Sequence, residues 1–186
     1  MHDAESGAAV SDWVRRFTDL IPADGVVLDV AAGGGRHSRY FRARGNRVVA
    51  VDRMLDGLSA LTGDPCVELV EADIENGPWP FPGRCFAGVL VTNYLHRPLM
   101  PVLAASVAPG GALIYETFAV GQAAFGRPAN PDFLLKPLEL LETFRSTLSV
   151  VAYETGIVER PRRAAIQRLA AVARSELVLL DSGPGR

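Results

Sequence analysis

Apolar positions along this chain follow two rhythms, and the rhythms alternate. Trp13, Val14, Phe17 and Leu20 recur at helical spacing, which predicts a first helix from about Val10 to Leu20, closed by Pro22. Gly25 then leads into Val26-Val27-Leu28-Asp29-Val30, a short apolar run of the kind a strand buried on both faces requires. After three glycines, the segment Arg36 to Arg44 sets Tyr40 and Phe41 on one face and arginines elsewhere, and Gly45-Asn46 ends that helix. A second strand is expected at Arg47 to Asp52, a helix at Met54 to Leu61, and a third strand at Cys66 to Val70. The run Gly77-Pro78-Trp79-Pro80-Phe81-Pro82-Gly83 excludes helix and central strand and predicts a loop.

The alternation continues with a strand at Phe86 to Thr92, a helix at Pro101 to Val107, a turn at Pro109-Gly110-Gly111 and a strand at Ala112 to Phe118. Between Ala119 and Lys136 periodicity disappears, and a long loop of that kind in a compact domain usually serves function. Pro137 to Phe144 reads as a helix. Ser149 to Val158 and Ile166 to Ala173 read as strands, and the short polar break Glu159-Arg160-Pro161-Arg162-Arg163 suits a hairpin. The implied fold class is α/β: a doubly wound, mostly parallel, seven-stranded sheet that ends in an antiparallel hairpin. In such a sheet, ligands bind beyond the carboxyl ends of the strands.

Composition narrows the picture. A chain of 186 residues with 48% hydrophobic content suits one domain over 1–186, with an N-terminal helix in 1–24, a core over 25–174 and a frayed tail over 175–186. Lys and Arg number 19 against 21 Asp and Glu, a formal charge of -2, so no extended nucleic-acid surface is expected. Cys66 and Cys85 form no CxxC pair, which argues against a zinc site and suits a reducing cytoplasm. The acidic N-terminus lacks a secretory pattern, and no apolar run is long enough to span a bilayer.

The candidate chemistry gathers at Asp29-Val30-Ala31-Ala32-Gly33-Gly34-Gly35-Arg36-His37-Ser38. Glycines allow a tight turn and close approach of a ligand, and the following helix aims unpaired N–H groups at it. Asp52, ending the second strand, can accept two hydrogen bonds from a ribose diol. This is a nucleoside-ligand pattern that fits NAD or S-adenosylmethionine. Three details lean to the methyl donor. The spacing Gly33-x-Gly35-x-x-Ser38 lacks the third glycine of the dinucleotide fingerprint. Asp29 is an acid inside an apolar strand, costly unless paired, and the donor's α-ammonium is a suitable partner. In Glu71-Ala72-Asp73-Ile74, an acid follows the third strand, where it can receive the adenine amino group while the Ile74 N–H meets the ring.

These segments, with Val51-Asp52 and Pro109-Gly110-Gly111-Ala112-Leu113, resemble the class I methyltransferase superfamily over about Val26 to Phe118. Within it, Gly35-Arg36-His37-Ser38, Asn93-Tyr94-Leu95-His96-Arg97-Pro98 and Phe125-Gly126-Arg127-Pro128-Ala129-Asn130-Pro131-Asp132-Phe133 resemble small bacterial enzymes of the tellurite-resistance type. Ala31 departs from the superfamily by replacing the turn's first glycine, and Ala87 stands where many members carry Asp. The resemblance implies a Rossmann-like fold and S-adenosylmethionine as cofactor. It implies Asp29, Ala31, Gly33 and Gly35 around the methionine moiety, Asp52 on the ribose, Asp73 and Ile74 at the adenine, and Asn93 beside the methyl donor.

For catalysis, His96 is the first candidate base, assisted by Tyr94 or Glu116; as plainer readings, His96 is a loop histidine, Tyr94 packs, and Glu116 pairs with an arginine. Arg97 and Arg127 are candidates to hold a small-molecule acceptor, their guanidinium forks matching an oxyanion or carboxylate, or else they pin loops. Methyl transfer to a small molecule is the expected activity. A nicotinamide-dependent oxidoreductase and a non-catalytic S-adenosylmethionine-binding protein are the alternatives.

Overall fold

The computed structural model describes residues 9–174. The acidic N-terminus and the expected tail at 175–186 therefore lie outside the described residues. Helix α1 (Asp12–Phe17) starts where the Ser11 side chain accepts hydrogen bonds from the N–H groups of Trp13 and Val14, and it tightens into a 3-10 turn at Thr18–Leu20. Then come β1 (Val26–Val30), α2 (Arg36–Ala43), β2 (Arg47–Asp52), β3 (Val67–Glu71) and β4 (Phe86–Thr92). After these lie α3 (Met100–Ala105), β5 (Val107–Phe118), α4 (Glu139–Phe144) and the hairpin strands β6 (Ser149–Val158) and β7 (Ala164–Val172).

The seven strands form one sheet in the order β3-β2-β1-β4-β5-β7-β6. Strands β1 to β5 run parallel, and β7 lies antiparallel between β5 and β6. Strand order reverses between β1 and β4, and that switch point opens a crevice at the carboxyl ends. The continuous apolar runs are explained by burial on both faces. Val27, Leu90 and Ile114 pack with Trp13, Phe17 and Phe41, whereas their neighbours Leu28, Val89 and Leu113 pack with Leu103, Leu140 and Phe144. Between β3 and β4 the chain runs as the expected loop, and Trp79 and Phe81 cover the core where a crossover helix would sit.

Three expectations are corrected. The segment expected as a helix from Met54 to Leu61 is a 3-10 turn over Asp56–Leu61. It presses on the glycine turn so closely that a Cβ at Gly57 would lie 2.6 Å from the Gly33 carbonyl oxygen. Pro109-Gly110-Gly111 is no turn but the irregular start of β5. Gly110 takes φ +79° there and donates its N–H to the Ala173 carbonyl, while Gly111 accepts from the Ala173 N–H, so the end of β7 holds the segment extended. The stretch from Ala119 to Lys136 carries structure of its own. It contains 3-10 turns at Gln122–Ala124 and Pro131–Phe133, and a bridge between Ala119 and Leu135 closes its base. Periodicity missed this compact loop because its order comes from individual polar side chains rather than from a repeating apolar face.

Candidate active site

The glycine turn leaves β1 with a non-glycine residue in the left-handed region, Ala31 at φ 52°. That conformation costs an L-residue about 1–2 kcal/mol, so the turn is held against a local preference. Gly33 donates its N–H to Asp52 Oδ2 at 2.8 Å, and Met54 donates its N–H to Asp52 Oδ1 at 3.1 Å. Asp52 thus ties the turn to the end of β2. Gly33, at φ 55°, has no heavy atom within 4 Å of where a side chain would begin, and neither has Gly34. This open face of backbone is what close approach by a ligand requires. Gly35, by contrast, is packed. A Cβ there would meet Leu58 at 2.6 Å.

Behind the turn lies Asp29, buried and bonded to the Ser38 hydroxyl at 2.6 Å. Burial pushes its carboxyl up to about 6, against the lowering effect of the Ser38 hydrogen bonds. Ser38 stands in the sequence motif, but without a role there. Its signal was present in the first turn of α2, nine residues past an acid that needed a partner.

A cavity of about 270 Å³ opens in front of the turn. It is lined by Ala31, Asp52, Arg53, Ala72, Asp73, Ile74, Glu75, Asn76 and Tyr94, contributed from the ends of β1, β2, β3 and β4. Arg53 and Glu75, each next in sequence to a candidate residue, and Asn76, two residues past Ile74, are additions to the sequence reading. Asp73 also caps its own turn. Its carboxylate accepts from the N–H groups of Glu75 and Asn76 and from the Asn76 amide, which holds it below the usual carboxylate range. Ile74 is buried at the cavity wall. Asn93 follows β4 in the left-handed region at φ 56°, which asparagine tolerates, and brings Tyr94 round to the cavity. The Tyr94 hydroxyl is buried without a hydrogen-bond partner among the described residues, and burial raises its pKa.

The other candidates sit apart from this cavity. Glu116 accepts from the Ser11 hydroxyl at 2.8 Å and pairs with Arg168 at 3.4 Å, which places it under the start of α1. His37 stands beside it, with Nε2 accepting the Ser11 N–H at 3.2 Å and Nδ1 within 3.3 Å of the Thr92 hydroxyl. Desolvation, with a smaller contribution from Arg36, lowers His37 to about 3, so it is neutral. His96 is half-buried at the start of the 3-10 turn Arg97–Leu99, and its ring makes no hydrogen bond among the described residues. Arg97 is fully engaged. It grips Glu139 through two nitrogens at 2.6 and 3.0 Å and donates to the carbonyls of Asp132 and Leu134. Arg127 lies on the long loop, at a second cavity described below.

Comparison with known proteins agrees with this fold. Residues 27–111 match the family model of a methyltransferase domain. No curated protein matches in sequence. Among solved structures, TehB from Haemophilus influenzae superposes with a TM-score of 0.72 at 16% identity, over 92% of this chain and 64% of that one. This chain therefore spans just under two thirds of that protein's length. A TehB-like SAM-dependent methyltransferase from Corynebacterium glutamicum gives 0.64 at 14% identity, over 92% of both chains. The 1,6-didemethyltoxoflavin-N1-methyltransferase of Burkholderia thailandensis, solved with bound 1,6-didemethyltoxoflavin and S-adenosylhomocysteine, gives a TM-score of 0.63 at 22% identity, over 90% of this chain and 78% of that one.

Proposed function

We propose, from the premise that this chain carries a methyltransferase domain of the class I type, that it binds S-adenosylmethionine in the cavity at the glycine turn and methylates a small molecule. The observation that carries the reading is the junction of Asp52 with Gly33. One carboxylate, braced by the open glycine turn it closes, lines a cavity whose Tyr94 hydroxyl has no hydrogen-bond partner among the described residues. That set fits an adenosyl group. Asp52 takes the ribose diol, and Asp73 with the Ile74 N–H takes the adenine edge. Asp29 balances the α-ammonium from behind the turn, Ala31, Gly33 and Gly35 shape the room for the methionine chain, and Asn93 lies beside the methyl position.

When bound, S-adenosylmethionine supplies a methyl group already activated by its sulfonium charge, so the chain contributes chiefly alignment. A thiol or oxyanion acceptor needs no strong base. For an acceptor that must lose a proton, His96 is the candidate whose ring nitrogens carry no hydrogen bond among the described residues. Glu116 supports α1, and Tyr94 supplies a donor toward the cavity. A small acceptor agrees with the formal charge of -2 and with the substrate named for the Burkholderia enzyme. Among the described residues no helix is long and apolar enough to cross a membrane. Both cysteines are free, and cytoplasmic residence is part of the same reading.

Isothermal titration with S-adenosylmethionine and S-adenosylhomocysteine tests the proposal. Both should bind, and Asp52→Ala should weaken them about ten- to a hundredfold, the usual scale for hydrogen bonds to a charged group. Absence of heat with either ligand overturns the cofactor assignment. Label transfer exclusively into tRNA or protein overturns the small acceptor.

A further inference from the structure

A second cavity, of about 570 Å³, lies between the β5–α4 loop and the tip of the β6–β7 hairpin. Its lining is Arg127, Pro128, Ala129, Asn130, Phe133 and Arg162. No carboxylate lines it, and neither arginine pairs with one among the described residues. Of the acids nearest in sequence, Glu159 is committed to Arg163 and Glu139 to Arg97, while Asp132 is exposed on the loop and does not line the recess. Two guanidinium groups at one cavity repel each other until an anion arrives. Phe133 is half exposed at the same cavity, an aromatic face left uncovered beside the two charges.

The walls are fixed to each other rather than merely adjacent. Buried Gln122 donates from Nε2 to the Arg127 carbonyl at 3.2 Å and accepts the Ala165 N–H on Oε1 at 2.9 Å, joining loop to hairpin through one side chain. The Arg162 guanidinium stands over the Phe118 ring at 5.4 Å, and Arg163 over Phe125 at 5.2 Å. Arg97 anchors the far arm of the loop through the Asp132 and Leu134 carbonyls. The recess is therefore preorganised, which lowers the cost of filling it.

Phe118 ends β5, and Ile166 of β7 pairs with it, so the recess lies beyond the carboxyl end of β5. The sheet order places β5 next to β4, whose end supplies Tyr94 to the first cavity. Resting on the methyltransferase reading above, we propose that this recess is the acceptor's docking site and that the acceptor is an aromatic carboxylate. Arg127 and Arg162 hold the carboxylate, and Phe133 with Pro128 receives the flat apolar body. A guanidinium pair matches a carboxylate's geometry, and a ring beside it selects against bare inorganic anions.

The test is a nuclear magnetic resonance titration of the full chain with benzoate, benzamide and inorganic phosphate, with S-adenosylhomocysteine affinity measured in parallel. Benzoate should bind saturably, shift Phe133 and Arg162 resonances, and exceed both comparison probes at least tenfold. Arg127→Gln and Arg162→Gln should each weaken benzoate at least tenfold while leaving S-adenosylhomocysteine affinity unchanged, which also shows that each variant is folded. Benzoate binding no better than benzamide, or surviving in both variants, overturns the proposal. Phosphate binding as well as benzoate overturns the aromatic part. Loss of S-adenosylhomocysteine binding by the wild type would instead strike the methyltransferase reading and leave the benzoate result to be judged separately.

Discussion

The carboxyl edge of the sheet is built in two halves by different means. Over β1 to β4 the wall consists of acids with Arg53, Asn76 and Tyr94 among them, and each group sits within a few residues of a strand end whose register is set by parallel pairing. Over β5 and β7 the wall consists of arginines, an aromatic and a loop, and the groups that meet there lie 35 positions apart in the chain, at 127 and 162. The first half can hold a ligand because the sheet is rigid. The second is rigid because Gln122 and Arg97 lock it. The difference predicts that the two halves respond to different mutations.

The largest effect expected within the second half is from Arg97→Ala. It removes two bonds to a mostly buried Glu139 and the donors to the Asp132 and Leu134 carbonyls. Leaving that carboxylate unpaired should destabilise the fold by about 2–3 kcal/mol, discounted for the partial exposure of Arg97. Urea denaturation measures this, and S-adenosylhomocysteine affinity should stay within twofold. Unchanged stability would show that Arg97 is not the loop's anchor and return it to the acceptor candidates.

In the first half, Asp29→Asn should stabilise the protein and weaken the cofactor. The Asp29 carboxyl is raised from 3.8 to about 6 by burial, so the folded state binds its proton more tightly than the unfolded state. The stability contributed by the neutral form is complete below pH 3.8 and is lost as pH rises toward 6. Above that, the ionised group is a burden of up to about 3 kcal/mol. Asparagine should recover about 1–2 kcal/mol of it at pH 8 and nothing at pH 3.5, as compared by denaturation at the two pH values. His37, lowered to about 3, has the opposite sign, its contribution fading as pH falls from 6.5. It is common to both proteins, so the difference isolates Asp29. Equal gains at both pH values would refute the assignment.

The smallest effect is expected from Ala31→Gly. Relief of the left-handed φ should exceed the added freedom of the unfolded chain and raise stability by about 0.5–1 kcal/mol, visible as a modest rise in Tm. A fall in Tm would mean that the alanine methyl packs usefully in the turn.

How much was legible follows the same division. The parallel strands, the hairpin and the glycine turn stand in the sequence because buried strands need unbroken apolar runs and turns need glycine. Asp52, Asp73 and Ile74 could be singled out because strand ends are also spatial neighbours in a parallel sheet. That Asp73 caps its own turn and that Glu116 pairs with an arginine were each one of two readings open in the sequence; that the arginine is Arg168, and that Ser11 joins it under α1, could not be read. Both depend on which way a side chain leaves a backbone whose course is set from a distance.

The alternation of periods determined the class of fold, the edge of the sheet at which the first cavity opens and the glycine turn beside it, since each arises from contacts between near positions or from strand pairing that a repeating pattern encodes. Tertiary structure alone decided that the unpatterned loop is ordered, that Arg97 anchors it, and that Arg127 meets Arg162 across a shared recess. Those outcomes rest on single polar contacts such as the two made by Gln122, each worth little until the sheet has brought distant segments within hydrogen-bond reach.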